Sequence, residues 1–280
     1  MTRTPTALLL TACLWPVACE PLPLPAPTAQ AKQLAEAMRS RPVVLLGEMH
    51  DNAAQHALRA QALRLLLESG ARPALLMEQF DREHQPDLDR ALARPAVTAD
   101  EVIAAALPTD AAMQGWAWPF YRPYVALALE YRLPIVAANV SRDDARRVLK
   151  DGLPALGFDA RVPVDIEAAQ AGAIAASHCG MIDTAQAGRM VGAQVARDQF
   201  MARAIEAHAA RGAVLIAGNG HVRRDVGVPR WLTEATRARS VAIGLLEPGD
   251  PSAAAFDVSF TTPAQSRADP CESMRAAPQR

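Results

Sequence analysis

Lysine is nearly missing from this chain. Of its 29 basic residues only Lys32 and Lys150 are lysine, and arginine supplies the rest. The formal net charge is −1, so no strong positive field is available for a phosphate backbone and nucleic-acid binding is not expected. Aromatic residues make up only 5%, which makes any local aromatic cluster informative. The four cysteines show neither a C-x-x-C pair nor a zinc-finger spacing. Cys13 and Cys19 fall in the leader, Cys271 in a polar tail, and Cys179 stands alone in the body, so a disulfide framework is not expected. No apolar run approaches the roughly 20 residues a bilayer-spanning helix needs, and no segment repeats at a fixed period.

What is present begins with a leader. Residues 1–19 carry one arginine, the apolar Ala7-Leu8-Leu9-Leu10 and then small residues, the pattern of a secretory signal. Leu10-Thr11-Ala12-Cys13 resembles a bacterial lipobox, and Pro16-Val17-Ala18-Cys19 is a second candidate. Cleavage before Cys13 or Cys19 would leave a lipidated cysteine; an ordinary cleaved signal is the alternative. Residues 20–30 have proline at alternate positions from Pro21 to Pro27 and read as an extended tether. The folded body is expected over 31–262, and 263–280 is expected to be a polar, disordered tail.

Within the body, four short apolar runs each end in a residue that can do chemistry. Val43 to Leu46 leads into Gly47-Glu48-Met49-His50, and Ala74 to Met77 into Glu78. Pro134 to Ala138 leads into Asn139, and Ala213 to Ala217 into Gly218-Asn219-Gly220-His221. Continuous apolar runs of this length read as buried parallel strands. Helical periodicity follows Asn52, a capping residue, and recurs over 185–210. The charged, alanine-rich stretch from Asp81 to Leu107 and the aromatic stretch from Trp116 to Tyr124 read as helices. The fold class is therefore α/β: a mainly parallel sheet flanked by helices, with a helical insertion between the second and third strands. In such sheets the ligand crevice lies at the carboxyl ends of the strands. Glu48, His50, Glu78 and His221 are thereby expected at one site, as an acid/base set or as ligands to a divalent metal through Glu48, His50 and His221. Gln194 and Arg197 are three apart on the long helix and share a face that points at this edge.

The two G-x-x-H segments, Gly47 to His50 and Gly218 to His221, resemble the paired motifs of the ChaN-like and Tiki superfamily, which is similar in turn to erythromycin-esterase-like proteins. Trp116 to Asn139, Ser177 to Met181, Gln194 to Asp198 and His221 to Pro229 resemble ChaN-type sequences as well. The resemblance implies a haem-binding lipoprotein of iron uptake, with homodimers, Tyr-ligated ferric haem and an outer-membrane haem receptor as a further partner; the anchor is expected in the outer membrane, since neither Leu14 nor Glu20 after the candidate cysteines is the Asp associated with inner-membrane retention. The implied haem ligand is Tyr124 or Tyr121. Trp118 would pack on the porphyrin, Arg122 would meet a propionate, and His178 would be a further ligand or line the pocket. The rival reading is a metal-dependent hydrolase, protease- or esterase-like, holding Mn, Co or Zn at the Glu48/His50/Glu78/His221 cluster, or using His50 as a base with no metal. A third is a scaffold lipoprotein whose polar cluster only stabilises the fold.

Overall fold

The computed structural model describes residues 26–107, 115–269 and 271–272. Six strands form one wholly parallel sheet in the order β3-β2-β4-β1-β5-β6. They are β1 (Val43–Leu46), β2 (Ala74–Asp81), β3 (Ile135–Asn139), β4 (Ala213–Ile216), β5 (Ser240–Leu246) and β6 (Val258–Thr261). The helices are α1 (Ala29–Arg39), α2 (Ala53–Glu68), α3 (Gln85–Leu92), α4 (Ala99–Ala106), α5 (Trp118–Glu130), α6 (Arg142–Asp151), α7 (Val164–Ser177), α8 (Thr184–His208), and the short α9 (Asn219–Val222) and α10 (Glu234–Ala238). The described residues of the insertion between β2 and β3 include α3, α4 and α5, a helical insertion as the sequence predicts. Among the described residues no helix is long and apolar enough to cross a membrane.

The central strands β1 and β4 are buried on both faces, which is why they read as unbroken apolar runs rather than alternating ones, whereas the edge strand β6 is largely exposed. The two-residue period of the strands then divides the core. Val44 and Leu46 face a layer built from α1, α2 and the insertion. Val43 and Leu45 face the layer of α8, with Met201, Ala202 and Ile205. A third cluster joins α6, α7 and α8 through Val148, Ile166 and Val191. Side-chain caps fix where the helices begin: Asn52 accepts from the Gln55 backbone at α2, and Asp183 with Gln186 forms a capping box at α8.

Two departures from regularity shape the site. The β2–β3 register runs Met77 to Ala137 and then Asp81 to Asn139, so the segment 78–80 bulges where β2 reaches the carboxyl edge. A bulge re-aims the side chains it carries. Cys179 and Cys271 form a disulfide. This corrects the reading of four uncoupled cysteines: the partners are 92 residues apart and meet only in the fold. The start of the C-terminal stretch is tied down. Arg267 forks between Asp51 and Glu247, at 2.5 and 2.8 Å, and Asn52 donates to Glu247 and to the Pro263 carbonyl. Residues 263–269 are thus strapped to the loop that follows His50.

Candidate functional site

Strand order decides which polar residues meet. β2, β4 and β1 are neighbours, so Glu78, the Gly218–His221 turn and the Glu48–His50 turn arrive side by side. Glu48 is the hub of the first half. Its side chain is fully enclosed. Oε1 accepts from the Tyr121 hydroxyl at 2.6 Å and pairs with His50 Nδ1 at 2.9 Å. Oε2 takes the Arg59 guanidinium and lies 3.1 Å from His56 Nε2. Arg59, also fully buried, donates to the Leu46 carbonyl at 3.1 Å and to the Tyr124 hydroxyl at 3.2 Å. Burial works against ionisation of Glu48, but the charge of Arg59 and the hydrogen bond with His50 outweigh it and hold the carboxyl below its usual range. Burial pulls His56 down to about 4, so it is neutral.

The second half centres on His221. Its Nδ1 lies 2.6 Å from Asp198, and its Nε2 lies 3.5 Å from Glu78. Glu78 also accepts from the Gly218 backbone at 2.8 Å, and Gln170 donates to Asp198 at 3.1 Å. Burial would lower the imidazole, but the charges of Asp198 and Glu78 prevail and push it up to about 10. Burial would raise Glu78, but the charge and hydrogen bond of His221, the charge of His50 and the Gly218 amide bring it down to about 2. Burial pushes Asp198 upward against the pull of the same imidazolium. At neutral pH this half is an imidazolium clamped between two carboxylates.

The glycines of the two G-x-x-H turns interlock the halves. A Cβ on Gly218 would come within 2.9 Å of the His50 ring. A Cβ on Gly47 would overlap the Asn219 side chain and lie 3.2 Å from the Ile243 carbonyl. Each turn's glycine therefore makes room for a side chain of the other turn, the close approach that only glycine permits. His50 sits at this junction with 48% of its side chain exposed and Trp116 edge-on at 4.9 Å. Burial would lower its pKa, but the Glu48 hydrogen bond and the Glu78 charge raise it.

Two cavities flank this junction, and His50, His221 and Gln194 line both. One, of about 550 Å³, has an apolar wall on α7 from Ala169, Ala173 and Ile174. The other, of about 630 Å³, is lined by Gln79, Asp81, Trp116, Arg142 and Arg197 among others. The shared helix face of Gln194 and Arg197 does point at the strand ends.

Of the residues singled out in the sequence, Glu48, His50, Glu78 and His221 are brought together. The aromatic stretch is placed differently from expectation. Tyr124 is fully buried and its hydroxyl donates to the His56 carbonyl at 3.1 Å. Tyr121 is fully buried as well, with its hydroxyl spent on Glu48. Trp118 packs in the core against Phe80 at 5.3 Å. Arg122 is exposed and forms a two-pronged pair with Asp100, lining neither cavity. His178 caps the end of α7, its Nδ1 2.8 Å from the Ile174 carbonyl, and likewise lines neither. Cys13 and Cys19 lie outside the described residues. Sequence reasoning missed Arg59, Asp198 and Gln170. A signal for Arg59 exists: Gln55, Arg59, Ala62 and Leu66 share one helical stripe, and two polar residues at the head of an apolar stripe need a buried partner.

A divalent metal does not fit the expected ligand set of Glu48, His50 and His221. The Glu48 oxygens already face four donors, one of them a guanidinium, and both nitrogens of His221 are directed at carboxylates. Among the described residues, no group of three or more His, Cys, Asp or Glu is arranged to hold a metal ion.

A family profile described as haem-binding uptake, Tiki superfamily, ChaN matches residues 34–232. The chain belongs to this family. In fold, this ChaN-family chain is similar to the ChaN of Campylobacter jejuni, whose structure is titled for cofacial haem binding. The TM-score is 0.68 at 20% identity, covering 81% of this chain and 90% of that one. It is also similar to an erythromycin esterase mutant, EreC H289N (TM-score 0.45, 17% identity, 85% and 79% of the two chains), and to the type III effector HopBA1 (TM-score 0.49, 13% identity, 84% and 94%). No curated protein matches by sequence.

Proposed function

We propose that this ChaN-family protein binds ferric haem as cargo in iron acquisition, with His50 as the side chain that faces the iron. The observation that carries the reading is the His50 imidazole. Its Nδ1 is fixed by Glu48, its ring is half exposed, and it borders a 550 Å³ cavity with an apolar wall. In its neutral form the ring donates its Nδ1–H to Glu48 and carries its lone pair on Nε2, the tautomer and orientation that iron-ligating histidines use. Tyrosinate ligation, implied by the family resemblance, would require Tyr121 to give up its hydrogen bond to Glu48 or Tyr124 to give up its bond to the His56 carbonyl, whereas His50 needs no such exchange. A lipid anchor at Cys13 or Cys19, an outer-membrane location, a homodimer and a haem receptor as partner belong to the same proposal.

The test is a haem titration of the full mature chain followed at the Soret band. Saturable binding that survives Tyr121→Phe and Tyr124→Phe but is lost in His50→Ala is the expected result. A spectrum that only tracks free haem would overturn the reading, and loss of binding in Tyr121→Phe alone would return the ligand to tyrosine.

A second reading is favoured by the His221 clamp, which haem binding does not need. Hydrolysis without a metal would use His50 Nε2 to take a proton from water. The doubly protonated His221 would oppose charge developing on the attacked carbonyl or phosphoryl oxygen. Turnover of ester or phosphoester substrates, lost in both His50→Ala and His221→Ala, would support it; a panel of such substrates left untouched would count against it.

A further inference from the structure

The polar cavity on the far side of His50 contains a side chain with no reason to be there in the isolated protein. Gln79 is 2% exposed, lines this cavity, and finds no partner for either its Nε2 or its Oε1 among the described residues. It belongs to the 78–80 bulge of β2, which breaks the strand's register just where the strand reaches the carboxyl edge. A buried carboxamide with both atoms unbonded is destabilising relative to an apolar residue of similar shape. In native structures such groups are rare and call for an explanation, an absent bound species among them.

Two further residues in the same cavity have unspent capacity. Arg197 projects from α8 and Arg142 from the first turn of α6, and neither forms a hydrogen bond or ion pair with a described residue. Both feel Asp81, which also lines the cavity, only through longer-range attraction. By contrast Arg146 is already paired with Asp143 at 2.6 Å. Two free guanidinium forks and a free carboxamide around one space have five-donor and two-donor geometries suited to a planar or tetrahedral oxyanion.

We propose that Gln79, Arg142 and Arg197 form an oxyanion subsite that receives a carboxylate or phosphate group of the ligand handled at His50. Because His50, His221 and Gln194 line both cavities, one ligand can place an anionic group here and an apolar body against α7. The subsite stands on the cavity's own residues and does not depend on the haem reading. The two sources of the oxyanion are the propionate arms of haem and a free or esterified phosphate.

The test is titration of the full chain with inorganic phosphate and, separately, with propionate at constant ionic strength. Tryptophan emission is the readout, since Trp116 lines the cavity. Saturable binding of at least one anion is expected, weakened about tenfold or more in Arg197→Gln and in Arg142→Gln, the loss of one charge-assisted contact each. Gln79→Leu should also weaken binding while leaving thermal stability unchanged or raised, because it removes an unbonded polar group. Should Gln79→Leu fail to fold, the two arginine variants on the outer elements still decide the matter. No saturable response to either anion, or arginine variants that bind like the wild type, would overturn the proposal. The source is read by comparing haem with its dimethyl ester. An ester that binds about tenfold more weakly, with phosphate competing against haem, identifies the propionates. An ester that binds as well as haem, with phosphate saturating alongside, identifies a phosphate ligand. Absence of any Soret shift would sink the haem reading and leave the anion titration standing.

Discussion

Neutralising Glu48 should damage this protein more than any other single isosteric change at the site. The side chain of Arg59 is 0% exposed and, among the described residues, its only carboxylate partner is Glu48, itself 0% exposed. Glu48→Gln keeps the shape and leaves an acceptor for Tyr121, but it strands a guanidinium in the core. Breaking a buried pair from one side costs about 3–5 kcal/mol, because the remaining charge is left without compensation. Against a total stability of roughly 5–15 kcal/mol this is a large fraction. At roughly 2–4 °C per kcal/mol for a domain of this size, melting should fall by about 10 °C. Urea denaturation of the single and double variants is the assay. Glu48→Gln should lower the midpoint strongly, and Glu48→Gln combined with Arg59→Met should recover most of the loss, giving a coupling energy of several kcal/mol. A cost of Glu48→Gln below about 1 kcal/mol, or a double variant no better than the single, would refute the assignment of Arg59 and Glu48 as a mutually dependent charge pair.

Stability should peak near pH 6.5. Glu78, depressed to about 2 from 4.5, contributes stability that is lost as pH falls through that interval; His56, depressed to about 4 from 6.5, is likewise lost on acidification; His221, raised to about 10 from 6.5, contributes stability lost as pH rises toward 10. Chemical denaturation across pH 4–9 checks this, and a monotonic rise past pH 8 would contradict the His221 clamp. Gly218→Ala should displace the His50 ring, since the new methyl would come within 2.9 Å of it, and should reduce haem binding with only a modest loss of stability; unchanged haem affinity would show that His50 tolerates the shift. Reducing Cys179–Cys271, or replacing Cys271 by Ser, should lower stability by about 2–4 kcal/mol, because the bond closes a loop of 92 residues in the unfolded chain; an unchanged melting temperature under reductant would show that the tie contributes little.

Much of this arrangement can be read from the order of apolar runs. Parallel strands buried on both faces leave continuous hydrophobic segments, and whatever follows them in sequence lies at the ligand edge in space. That logic places Glu48, His50, Glu78 and His221 at one edge of the sheet, and the adjacency of β2, β4 and β1 then brings them together. It fails where a side chain's role depends on what packs against it. Tyr121 and Tyr124 lie in an aromatic stretch that reads as a helix carrying a haem ligand, and α5 turns both hydroxyls inward to complete the shell around Glu48 and Arg59. Asp198 falls in a block that resembles ChaN-type sequences, but nothing local assigns it a partner, and only the packing of α8 against the sheet brings it to His221. Gln79 is invisible for a different reason. In a regular β2 its neighbour Glu78 and it would face opposite layers, and the bulge that re-aims them leaves no sequence mark. The Cys179–Cys271 bond, joining segments 92 residues apart, is likewise a product of the tertiary fold.

The remaining issue is whether the polar cluster serves a ligand or merely holds the fold together, and energetics separates the two. Glu78, Asp198 and His221 are enclosed, and two carboxylates with one imidazolium carry a net charge of their own. Taking such charges out of water costs several kcal/mol per ion, and well-packed apolar residues of similar volume often match or exceed a buried ionic group in stability. A cluster kept only for stability is therefore a poor solution, whereas a cluster that fixes His50 beside a charged, preorganised surface has a use that an apolar core cannot supply. The triple variant Glu78→Met, Asp198→Leu, His221→Leu tests this. If the cluster serves the ligand, unfolding stability should stay within about 1 kcal/mol of wild type or rise, while haem titration and anion binding fall away together. If the cluster is structural, the triple variant should lose as much as the worst single variant, His221→Leu, which leaves two carboxylates buried without their cation. That second outcome would return these residues to the scaffold and leave His50 alone as the functional side chain of the strand edge.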